Sequence, residues 1–71
     1  MKVKYTTDLS RPGNDVYIYE SITLLEQFDL YVVMKVFKVT GWADHEDVNI
    51  ILVTRNRTEA IKTYKENGGI I

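Results

Sequence analysis

At 71 residues, with nine basic and ten acidic side chains, a formal net charge of −1 and no cysteine, the chain is short and close to electrically balanced. A core of that size supplies only a few kcal/mol of net stability, so such folds lean on disulfides, a metal or a second subunit. The absence of cysteine excludes disulfides and thiolate metal sites and makes a reducing cytoplasm the expected compartment. The charge balance gives no overall attraction for nucleic acid. No stretch reaches the roughly 18 apolar residues of a membrane span, and Met1-Lys2-Val3-Lys4-Tyr5 is not followed by the apolar core of a signal peptide. The chain reads as a single compact domain, 1–71.

From the start, Val3 to Thr6 reads as a short strand, with Lys2 and Lys4 on one side and Val3 and Tyr5 on the other. Paired lysines suit an edge strand. Residues 8–15 form a loop around Arg11-Pro12-Gly13-Asn14, which is turn chemistry. Val16 to about Glu20 has strand composition, but Ile18, Ile22, Leu25 and Phe28 are spaced as a helical stripe. No Gly or Pro marks a turn before Leu30. Residues 21–28 are therefore either a continued bent strand or a second short helix.

Leu30 to Val39 and Val48 to Thr54 are two strongly apolar runs rich in β-branched residues, and they read as central strands. Between them, Gly41 and Asp44-His45-Glu46-Asp47 form an acidic loop. Alternation places Leu30, Val32, Met34, Val36 and Lys38 on one face of the first run, and Tyr31, Val33, Lys35, Phe37 and Val39 on the other. A helix from about Thr58 to Asn67 follows, with Asn56 as N-cap and Glu59 three residues on, or Thr58 as the cap. Ala60, Ile61 and Tyr64 make its narrow apolar stripe, and Asn67-Gly68-Gly69 ends it. Ile70 and Ile71 follow as an apolar tail.

These elements imply an α+β fold: a small antiparallel sheet of three to four strands with the C-terminal helix packed on one face. Both sheet faces are apolar, and one narrow helix cannot shield two. Either residues 21–28 form a second helix, or a second copy of the chain closes the open face. A homodimer built on the sheet face or on an edge strand, using some of Tyr31, Val33, Phe37, Ile51 and Val53, is the expected closure.

No catalytic, cofactor-binding or metal-ligating residue is expected. One histidine, no cysteine and no nucleophile motif leave little for catalysis. Asp44-His45-Glu46-Asp47 lacks the alternate ligand spacing of a calcium loop and a second His or Cys for zinc, so it reads as a solvated loop. Trp42 either folds over the end of the sheet or anchors a partner. The function implied is a small non-enzymatic protein that binds another protein, of the regulator or inhibitor type found among phage and mobile-element accessory proteins. Trp42, Asp44, Glu46, Asp47, Tyr31 and Phe37 are the candidate contacts. The alternative is a nucleic-acid-binding module using Tyr17 and Tyr19 together with Arg55, Arg57, Lys62 and Lys65.

Overall fold

The fold, given by a computed structural model that describes residues 2–42 and 44–71, is organised around one long hairpin. Its arms are β3 (Val16–Gln27) and β4 (Leu30–Gly41), each of 12 residues and paired from Gln27↔Leu30 to Val16↔Gly41. Around it stand β1 (Lys2–Asp8), β2 (Arg11–Pro12) and β5 (His45–Thr54), and α1 (Arg57–Glu66) ends the chain. All pairings are antiparallel. The strand order is β1-β3-β4-β5, with β2 also pairing with β3. The molecule is an α+β protein dominated by its sheet.

Residues 21–27 are strand, so the second helix considered for 21–28 does not form. Pairing on both sides, with β1 and with β4, overrides the helical spacing. The turn is Phe28-Asp29, with φ of 48° and 66°. Two positive φ values in a two-residue loop match the right-handed twist of the flanking strands, a job usually done by Asn-Gly. The strands also extend further than the sequence suggested. His45, Glu46 and Asp47 belong to β5, opposite Val39, Lys38 and Phe37, instead of lying in a loop.

Register divides the side chains into two faces. One face carries Ile22 and Leu24 of β3 and Val33 of β4, all buried, and α1 lies across them with Ala60 and Tyr64 equally buried. Tyr5, Leu9, Tyr31 and Leu52 pack around this cluster. Ile61 is only half-buried at its margin. Two bulges adjust the faces. One lies at Lys4, so Val3 and Tyr5 fall on opposite faces and not on the same one. The other lies at Ile51, between the pairs Met34↔Ile50 and Val33↔Leu52.

The helix has chemically defined ends. The Asn56 side-chain oxygen accepts from the Glu59 N–H at 3.1 Å, as its position predicts. At the other end Gly68 N–H donates to the Lys65 carbonyl (3.1 Å) and Gly69 N–H to the Tyr64 carbonyl (2.9 Å). That pair of bonds is a Schellman motif, with Gly68 at φ 98° supplying the left-handed residue. Ten helical residues span about 15 Å, against a long axis of 41 Å for the whole chain. The helix therefore covers one face only, and only part of that. No helix is long and apolar enough to cross a membrane among the described residues.

Candidate protein-binding surface

The face opposite α1 has no described element over it. Its residues follow from the register: Leu25 opposite Val32, Thr23 opposite Met34 and Ser21 opposite Val36, with Val48, Ile50 and Val53 of β5 alongside. The bulge at Ile51 is what brings Ile50 and Val53, an odd number apart, to the same side. Val48 is 54% exposed, Ile50 66% and Val53 54%. Scattered apolar residues on a surface are ordinary, but a contiguous apolar sheet face is the mark of an interaction site.

Towards the Gly41 end the same face becomes aromatic and polar. The Tyr17 and Tyr19 rings pack with centroids 4.6 Å apart, and both remain exposed. Beside Tyr19 lies an open groove of about 450 Å³ bordered by Asp8, Ser21, Val36, Lys38 and Glu46. Asp8 begins a tight turn in which its carboxylate accepts from the Ser10 N–H at 2.9 Å. Hydrogen bonds from Ser10 hold that carboxyl below its ordinary range. Lys38 and Glu46 are cross-strand neighbours. The groove thus carries both signs of charge and hydroxyls, next to an apolar floor.

The candidate contacts read from the sequence are divided by this geometry. Trp42 is 79% exposed, so it does not fold back over the sheet. Asp44 is exposed beside it. Glu46 points to the open face across from Lys38, whereas Asp47 lies on the helix side opposite Phe37. There Asp47 accepts from the His45 ring nitrogen at 2.6 Å. Tyr31 and Phe37 are also on the helix side. Desolvation, and then the neighbouring Glu26, push the Tyr31 phenol above its ordinary value. Of the set proposed to close a dimer, Tyr31, Val33 and Phe37 are on the helix side, Val33 fully buried, and Val53 alone is a register member of the open face. Alternation grouped the β4 residues correctly, but nothing in it says which group the helix will cover.

The tyrosine–basic constellation is also split. Tyr17 and Tyr19 stand at the Gly41 end of the open face, while Arg55 and Arg57 follow β5 at the opposite end. Lys62 and Lys65 are on the helix, on the other side of the sheet, and Lys62 faces Glu66 at 3.9 Å. Sequence reading missed Phe28, which is 89% exposed at the tip of the central hairpin. No turn signal pointed to it. Among the described residues no group of three His, Cys, Asp or Glu side chains converges. No family model, no curated protein and no solved structure matches the chain.

Proposed function

We propose that this is a non-enzymatic protein that acts by binding another protein through the open face of its sheet, as a small regulator or inhibitor. The observation that carries the reading is the bare apolar face formed by Val32, Met34, Val36, Val48, Ile50 and Val53, continuous with the Tyr17–Tyr19 pair and the polar groove. Protein interfaces combine an apolar centre with tyrosine and tryptophan anchors and a polar rim, and this face has that order. The partner that fits is a protein with an apolar patch bordered by hydrogen-bonding groups. A cysteine-free chain suits a reducing compartment, so we place its action in the cytoplasm.

The test pairs capture with face-specific variants. Immobilised wild-type protein retains a stoichiometric protein partner, Tyr19→Ala and Met34→Glu lose it, and the helix-side control Lys62→Ala keeps it. Retention by both open-face variants overturns the proposed surface. Salt-sensitive binding of oligonucleotides, abolished by Tyr19→Ala, favours the nucleic-acid alternative instead.

A further inference from the structure

The two edges of the sheet are built differently. The β1 edge carries Lys2 and Lys4 and a bulge at Lys4, and the short β2 beyond it contains Pro12. Lysines, bulges and proline are the devices that keep an edge from pairing with another chain. The β5 edge has no Lys, Arg or Pro between His45 and Thr54, and His45–Ile51 is exposed throughout. Its charges sit instead at its two ends and are opposite in sign. Glu46 and Asp47 are near the start, and Arg55 follows the last strand residue. Among the described residues, neither Glu46 nor Arg55 has an ion-pair partner within 4.0 Å in its own chain.

A strand that is acidic at one end and basic at the other is complementary to an antiparallel copy of itself. We infer that the free edge of β5 pairs antiparallel with β5 of a second copy of this chain, with Glu46 of each copy facing Arg55 of the other. The bulge selects the register. In an unbulged strand, side chains on one face have numbers of the same parity, so same-face pairs across a two-fold axis sum to an even number. Across the Ile51 bulge parity switches: Glu46, Val48 and Ile50 share the open face with Val53, while Asp47 and Asn49 share the helix face with Leu52 and Thr54. Same-face pairs must then be an even member with an odd one. Centring the axis between Ile50 and Ile51 satisfies this. It sets Val48 against Val53, Asn49 against Leu52 and Asp47 against Thr54, and it brings Glu46 to Arg55. Sliding by two residues one way sets Glu46 against Val53. Sliding the other way asks for Arg57, which is already in α1. One closed two-fold pair results, with both edges satisfied, which is the commonest oligomer symmetry. The inference stands apart from the binding surface proposed above, although such a dimer would double that surface by joining two open faces into one sheet.

Sedimentation across a dilution series from micromolar to millimolar tests it on the full chain. Wild type is expected to sediment at the mass of two chains, dissociating on dilution. Glu46→Arg and Arg55→Glu each turn two attractive contacts into repulsive ones and are expected to weaken association by about tenfold. The double exchange Glu46→Arg/Arg55→Glu restores it. Both sites are exposed, and far-UV circular dichroism verifies that the fold is kept in all three variants. A single-chain mass at every concentration overturns the proposal, as does a dimer indifferent to the single reversals or one that the double exchange fails to rescue. Tyr19→Ala leaves the dimer intact, which separates this result from loss of the open-face partner.

Discussion

The hydroxyl of Tyr64, on the last helix, is hydrogen-bonded to the hydroxyl of Thr7, on the first strand. The two residues are 57 positions apart, and their contact ties the ends of the chain together. Thr7 also accepts from the Ile70 N–H at 2.9 Å, so one threonine fixes both the helix and the tail. Tyr64 is fully buried, with the Tyr5 ring at a centroid distance of 6.0 Å. Removing its ring leaves a cavity at the centre of the contact between α1 and the sheet. Tyr64→Ala is expected to cost about 3–5 kcal/mol, and Tyr64→Phe, which removes the hydroxyl alone, about 1 kcal/mol. Urea unfolding measures both. Ile61→Ala should fall well below Tyr64→Ala because Ile61 is only half-buried. If Ile61 proves the costlier of the two, the helix faces the sheet differently from the arrangement described.

The Phe28-Asp29 turn stores strain. A bulky residue at φ 48° in a primed turn is disfavoured where Asn or Gly is not. Phe28 makes little packing in return, being 89% exposed. Replacing the pair by Asn-Gly is expected to stabilise the fold by about 1 kcal/mol, seen as a higher Tm. A lower Tm would show that the Phe28 ring contributes more than its exposure implies.

Composition and period made the sheet, the terminal helix and its caps legible. Asn56, Gly68 and, of the expected stripe of Ala60, Ile61 and Tyr64, the first and last members behave as their types and spacing predict, whereas Ile61 is only half-buried. What could not be read was long-range. Ile18, Ile22, Leu25 and Phe28 mimic a helix face, and only the partners β1 and β4 decide that they are strand. The bulges at Lys4 and Ile51 are set by pairing and leave no mark in local sequence, yet each moves a run of side chains to the opposite face. For that reason the bare face was foreseeable as a surplus of apolar side chains, whereas its members were not.

Acid should weaken the fold partly through Glu20. Arg11 donates to its carboxylate at 2.8 Å and Lys35 lies 3.5 Å from it. The Arg11 hydrogen bond is the main cause that lowers its pKa, against an opposing desolvation, with Lys35 adding to the lowering. A lowered folded value means the stabilisation is fully present above the unfolded carboxyl value and is lost as pH falls through the folded one. Wild type should therefore lose stability across that acidic interval. Glu20→Gln should lose about 1 kcal/mol at neutral pH and show a flatter acid slope. Identical slopes would remove Glu20 from the acid response.

Divalent cations are expected to leave Tm almost unchanged. Strand geometry puts His45 and Asp47 on one face and Glu46 on the other, and the His45 ring is already bonded to Asp47. At most two ligands of β5 meet on one side, fewer than calcium or a structural zinc requires. Melting curves with millimolar Ca²⁺, Mg²⁺ or Zn²⁺ check this, since any ion bound only by the folded state must raise Tm.

The helix C-terminus offers a contrast between two adjacent glycines. Gly68 holds the positive φ, so conformational preference alone marks it as the irreplaceable one. Space argues otherwise. A Cβ on Gly68 would meet the end of the Leu9 side chain at 3.2 Å, which can shift. A Cβ on Gly69 would overlap the Tyr64 ring and approach the Tyr64 carbonyl at 2.6 Å. Neither can give way without breaking the Gly69–Tyr64 hydrogen bond and moving the ring that Thr7 holds. Gly68→Ala is expected to cost about 1 kcal/mol from backbone strain, and Gly69→Ala about 2–3 kcal/mol from overpacking. Denaturant titration of the two variants gives the order directly. The reverse order would mean that strain at Gly68, and not the seat of the Tyr64 ring, governs how the helix ends.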